Sequence, residues 1–176
     1  MGVSVEKQIN EVELCKDSGF RLEIRVGDIL CASNTTSLAH CISSDCKPHS
    51  GITKNFIEKF AQLSELKKYQ TTVGNVAVIK SESRFIYNLV TKKRFYGKPK
   101  YDVIRSCLEQ MKNHAKKYGI TEISMPKIGC GFESLQWCVV KALIESVFER
   151  ENIRIYVYIR SSKYYFLLTD IFLKTM

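Results

Sequence analysis

No apolar run in this 176-residue chain reaches the roughly 20 residues that a membrane-spanning helix needs, so no membrane association is expected. The amino terminus, MGVSVEKQIN, lacks the basic-then-apolar pattern of a signal peptide. Gly2 is present, but Glu6 stands where a myristoylation signal has Ser or Thr. Seven cysteines (Cys15, Cys31, Cys41, Cys46, Cys107, Cys130, Cys138) include no CxxC pair, and only three histidines accompany them. A zinc site and a disulfide framework are both disfavoured, and the thiols read as reduced and mostly packed. Acidic residues are in deficit, 18 against 27 basic ones, for a net charge of +9. That balance suits nucleic acid, a nucleotide polymer or a phosphorylated ligand, although a solvated basic surface with no single partner explains charge alone as well. With 45% hydrophobic and 26% charged residues, wholesale disorder is excluded. No repeat, low-complexity tract or linker divides the chain, so an intracellular, soluble, single-domain protein is expected.

What is present is concentrated in MPKIGCGFESLQW, Met125 to Trp137. It reads as the end of a strand, a turn bearing Gly129 and Gly131, and the start of a helix. Glycines spaced in this way let an anion approach exposed amide N–H groups, and a phosphate or pyrophosphate is the natural guest. Glu133 sits where the loop hands over to the helix. A carboxylate beside an anion site suggests chemistry on a phosphorylated sugar.

Strand and helix patterns alternate along the chain. Leu22, Ile24 and Val26 alternate with polar residues and are closed by Gly27-Asp28; Ser37 to Ile42 is a more continuously apolar strand. Ile52, Phe56, Phe60 and Leu63 recur at helical spacing. Val76 to Ile79 and Phe85 to Val90 flank the polar turn Ser81 to Ser83, as in a hairpin. Ile104, Cys107, Leu108, Met111, Ala115 and Tyr118 share one helix face that begins after Pro99 and stops at Gly119. Ile123 to Met125 is a buried strand; Leu135, Val139, Ala142, Leu143 and Val147 mark the last long helix, and Ile153 to Ile159 the last strand. Helices between strands must cover both faces of one sheet, which predicts a three-layer α/β/α domain with a mixed central sheet. Its ligand would lie at the carboxyl ends of the strands, where loops 28–33, 43–51, 91–98 and 127–133 converge. The domain is expected over residues 1–160, with 161–176 as an extension packed on it. His40, in an apolar strand, and His114, on a helix, read as structural.

GDIL at Gly27 to Leu30, SLAHCISSDC at Ser37 to Cys46, FIYNLVTKKR at Phe85 to Arg94, KPKY at Lys98 to Tyr101 and SMPKIGCGFESLQW at Ser124 to Trp137 together resemble the macrodomain family. The branch they are most similar to is the terminal ADP-ribose protein glycohydrolases, also called O-acetyl-ADP-ribose deacetylases. The likeness runs colinearly from about Leu22 to Ile159. It implies a macrodomain fold and binding of ADP-ribose. It also implies removal of ADP-ribose from acidic side chains of modified proteins, and deacylation of O-acyl-ADP-ribose. No cofactor or metal is implied. ADP-ribose and ADP-ribosylated proteins are the expected partners, with poly-ADP-ribose a further candidate; a monomer, nuclear and also cytoplasmic, is expected.

Position by position, the resemblance places Asp28 against the adenine amine with Ile29 beside it, and Ser43 in contact with the ligand. A turn aspartate after Gly27 is the alternative account of Asp28. Lys127, Ile128, Gly129, Cys130, Gly131 and Phe132 would wrap the pyrophosphate and distal ribose, with Gly51 in the facing loop and Arg160 after the last strand. Lys92 matches the family's nucleophile. A free lysine, with a pKa of about 10.4, is almost wholly charged, so attack requires burial or neighbouring charge such as Lys93 and Arg94. Without the match, tandem bases on a loop read as solvated surface.

Two positions depart from the family. Glu133 stands at the catalytic aspartate position, and its extra methylene displaces the carboxylate by about an ångström. A glutamate favourably placed on a helix dipole is the alternative account of that residue. In DCKPHSG, Asp45 to Gly51, Pro48 and His49 stiffen and fill a loop where the family carries a further glycine. Three functions remain open: a hydrolase using Lys92 and Glu133, an ADP-ribose reader without turnover, and a nucleic-acid binder resting on charge alone.

Overall fold

A computed structural model describes residues 19–47, 51–60, 63–69, 71–131 and 135–160. Six strands form one sheet in the order β1-β6-β5-β2-β4-β3: β1 (Arg21–Val26), β2 (Ser37–Ser43), β3 (Val76–Ser81), β4 (Arg84–Lys92), β5 (Glu122–Pro126) and β6 (Arg154–Ile159). The first five in that spatial order run parallel, and β3 closes the edge antiparallel to β4 through the hairpin at Glu82 and Ser83. The sheet is therefore mixed, as expected.

Two helical layers follow from the alternation of side chains along β2. Ala39 and Cys41 face a cluster with Leu89, Ile123, Met125, Ile155 and Val157, which α3 (Tyr101–Lys117) and α4 (Trp137–Phe148) cover. Leu38 and Ile42 face the other way, toward α1 (Gly51–Phe60) and α2 (Leu63–Leu66), packing near Phe56, Ile57 and Leu66. Period-two alternation with both faces apolar is what a buried parallel strand requires.

On α3, Ile104, Cys107, Leu108, Met111 and Ala115 are buried as their spacing predicts, while Tyr118, just past the helix, is exposed. The helix ends in a Schellman motif: Ile120 N–H donates to Ala115 O and Gly119 N–H to Lys116 O, with Gly119 at φ +64. His114, Lys116 and Lys117 in the last turn complement the helix dipole.

Two expectations are corrected. The buried face of α4 is Val140, Ile144, Val147 and Phe148, whereas Val139 and Ala142 are exposed. Val26 does not share a buried stripe with Leu22: it is 65% exposed, being the last residue of an edge strand with a neighbour on one side only.

Candidate functional site

Because β1, β6, β5, β2 and β4 are parallel, their carboxyl ends all reach one rim of the sheet. Residues far apart in the chain arrive there together: Asp28 after β1, Arg160 after β6, Lys127 after β5, Ser43 ending β2 and Lys92 ending β4. The rim has an opening. β5 and β6 pair from Glu122↔Arg154 to Pro126↔Tyr158, but β2 and β5 pair only at Ser37↔Ile123 and Leu38↔Ser124, and so cease to pair before their carboxyl ends. The connections also change face at this place, since α1 lies on one side of the sheet and α3 and α4 on the other. Such a switch point is where an open α/β sheet receives a ligand.

On the β2–β4 side a bulge sets the geometry. Ile42 pairs with Val90 but Ser43 pairs with Lys92, so Thr91 is an extra residue on β4. The bulge turns the strand end and sets Lys92, half-buried, directly across from Ser43, which is 5% exposed. Ser44 N–H donates to Lys92 O at 2.8 Å, tying the two strand ends together. The Ser43 hydroxyl donates to Asp45 Oδ1 at 2.5 Å. Burial pushes the Asp45 carboxyl up, but the Ser43 hydroxyl, the amides of Lys47 and Phe95 and the Arg94 charge outweigh it and hold the group below its ordinary range.

Across the opening, Asp28 is exposed and caps a short 3-10 turn, Ile29–Cys31, by accepting Leu30 N–H at 2.9 Å on Oδ1. This is the turn role the sequence allowed, and it leaves Oδ2 outside that bond. Ile29 is buried beneath it. Lys127 places its ammonium 5.5 Å from the Trp137 ring centroid. Ile128 is buried; Cys130 N–H donates to Lys127 O at 3.2 Å, folding the loop into a turn. Gly131 is exposed, with open space where a Cβ would project. Gly129 is more constrained: its φ is +68, its carbonyl accepts Leu135 N–H at 3.0 Å, and an added Cβ would meet Leu135 Cδ1 at 2.8 Å. Gly129→Ala is therefore expected to destabilise the protein by about 1–2 kcal/mol from the left-handed backbone alone. Urea unfolding checks this, and an unchanged midpoint would refute it.

Gly51 opens α1 at φ +70, and Arg160 is exposed immediately after β6. Phe132 and Glu133, the Pro48-His49 pair and the extension 161–176 lie outside the described residues. Among the described residues, no cluster of three or more His, Cys, Asp or Glu could hold a metal ion, and no disulfide joins the cysteines. A cavity of about 190 Å3 lined by Lys112, Lys116, Gly119, Thr121, Phe148 and Ile153 lies at the opposite pole, beside the amino ends of β5 and β6. None of the candidate residues lines it. Asp45 was not foreseen from the sequence; its one local signal is the Ser-x-Asp spacing with Ser43.

The Macro domain family profile matches residues 38–144. Over 140 residues the chain is 49% identical to the ADP-ribose glycohydrolase OARD1 of Bos taurus and 48% to that of Homo sapiens, covering 80% of this chain and 92% of each relative. Among solved structures, the macrodomain of Thermus aquaticus DarG aligns at a TM-score of 0.71 with 21% identity, over 80% of this chain and 99% of that one. The parallel rim, the glycine turn after β5 and these matches agree: the chain belongs to the macrodomain family.

Proposed function

We propose that the chain is an ADP-ribosyl hydrolase that releases terminal ADP-ribose from glutamate- or aspartate-modified proteins and deacylates O-acyl-ADP-ribose. The observation that carries this reading is the meeting of Ser43 and Lys92 across the β4 bulge, on the same rim as the Lys127–Gly131 turn. Main-chain amides of that turn receive the pyrophosphate, Asp28 and Ile29 take the adenine, and Arg160 and Gly51 complete the cradle. The Lys92 amine adds to the anomeric carbon of the distal ribose, and the C–O bond to the acceptor breaks as its carboxylate leaves. Glu133 then takes a proton from water, which adds to the same carbon and expels the lysine. The same reading makes the chain a nuclear, monomeric protein with poly-ADP-ribose as a further ligand for its basic rim.

Incubation of the purified protein with glutamate-linked ADP-ribosylated protein tests this reading by the release of free ADP-ribose. Calorimetric binding of ADP-ribose without release would instead make the chain a reader. Glu133→Asp probes the departure from the family: shortening the side chain is expected to raise kcat tenfold or more at unchanged ADP-ribose affinity. No gain, or a loss, would show that the longer carboxylate already reaches the reacting carbon or takes no part.

A further inference from the structure

We propose that Asp45 is a positioning residue of this hydrolase, its carboxylate locking the loop that carries Lys92 to the turn at 44–47 that follows β2. The proposal rests on the reading of Lys92 as nucleophile. An aspartate in a tight turn ordinarily satisfies itself on amides a residue or two ahead, as the Asp45 contact with Lys47 N–H does. Asp45 does more. Its carboxylate also lies near the backbone N–H of Phe95, in the loop after β4, which helps hold it below its ordinary pKa, and it accepts the hydroxyl of Ser43 at 2.5 Å. The main chain returns the grip, with Ser44 N–H donating to Lys92 O at 2.8 Å and Asp45 N–H to Lys93 O at 3.3 Å. Lys92 is thus bracketed, its own carbonyl tied by Ser44 N–H and the next one, of Lys93, by Asp45 N–H, with the carboxylate facing the Phe95 amide beyond.

The turn that makes these contacts is otherwise unfavourable. Cys46, which is not glycine, sits at φ +48, a conformation that costs roughly 1–2 kcal/mol. Thr71 braces the turn from outside, its hydroxyl donating to Ser44 O at 2.7 Å while the Ser44 hydroxyl donates to Thr71 O. A strained turn held on three sides beside a candidate nucleophile is the signature of geometry maintained for chemistry. Asp45 reaches the reaction only through its neighbours, the Lys92 loop and the Ser43 hydroxyl.

Kinetics and amide hydrogen exchange on the full chain test this together. With glutamate-linked ADP-ribosylated protein as substrate, Asp45→Ala is expected to lower kcat by about 10–100-fold with KM changed less than about threefold, since a displacement near an ångström is enough. Asp45→Asn, which keeps one acceptor oxygen for the Ser43 hydroxyl or one amide, is expected to fall between Asp45→Ala and wild type, and it carries the comparison should the alanine variant not fold. In both variants the Phe95 amide exchanges several-fold faster while amides in α4 are unchanged. A kcat within about threefold of wild type, or unaltered Phe95 exchange, overturns the proposal. If wild-type protein releases no ADP-ribose, the hydrolase reading fails by itself, and the exchange of Phe95 still decides whether Asp45 fixes the loop.

Discussion

Lys92→Ala is expected to reduce release of ADP-ribose from glutamate-linked substrate by about a thousandfold or more, the scale of losing a nucleophile. Affinity for free ADP-ribose should stay within about threefold, because the proposed function assigns the adenine and pyrophosphate to other parts of the rim. The contrast matters, since a lysine that served only as a cation for the pyrophosphate would lose affinity and turnover in parallel. Lys92→Arg separates the two roles further. Arginine keeps the positive charge but is not deprotonated in proteins, so it cannot form the C–N bond. An arginine variant that retains turnover would remove Lys92 from the chemistry, whatever the alanine variant does. The structure gives the expectation its basis: Lys92 ends β4 after a bulge, half-buried, its Cα paired with that of buried Ser43. A lysine placed for solubility needs none of this.

The parts of the fold that could be read from the chain are those with an unambiguous period. Ile104, Cys107, Leu108, Met111 and Ala115 admit one helical face, and that face is buried. WCVVKALIESVF, by contrast, is apolar nearly all round, so several stripes fit it and the buried one, through Val140, Ile144 and Phe148, is chosen by contact with α3 and the sheet. The rim followed from topology: once β2, β4, β5 and β6 alternate with helices, their carboxyl ends must meet. Individual site residues did not follow from periodicity at all, and came from short motifs such as TKKR and GDIL. Asp45 escaped both routes, because the partner that makes it unusual is the main-chain N–H of Phe95, and every residue but proline has that group. The bulge at Thr91 is invisible for the same reason, being a property of two strands in register.

Acid is expected to destabilise this protein through His40 by about 2 kcal/mol between pH 7 and 5 and about 3 kcal/mol by pH 4. His40 lies in the middle of β2, fully buried, its ring 4.2 Å from that of Phe56. Its Nε2 is 2.7 Å from Asn88 Oδ1, and Asn88 donates its amide hydrogens to Ala77 O and Ile86 O. The asparagine oxygen is therefore the acceptor and Nε2 carries the hydrogen, as a neutral imidazole allows. Burial pushes the His40 pKa down from 6.5 to about 4, the Asn88 bond offsetting only part of the cost of a charge there. The sign follows. Between about pH 6.5 and 4 the unfolded chain binds a proton that the folded one refuses, so stability falls as pH falls through this window and levels off below it. His114, held low by burial and the Lys117 charge, shifts in the same sense, and a comparison of whole-protein curves would mix the two. His40→Gln isolates the term, because its amide nitrogen can still donate to Asn88 Oδ1 but does not titrate. Urea unfolding at pH 7, 6 and 5 should show wild type losing about 2 kcal/mol more than the variant over that range. Parallel curves would mean that His40 is protonated in the folded protein, and the closed, uncharged packing of β2 against Phe56 and Asn88, three residues before Ser43, would have to be abandoned with it.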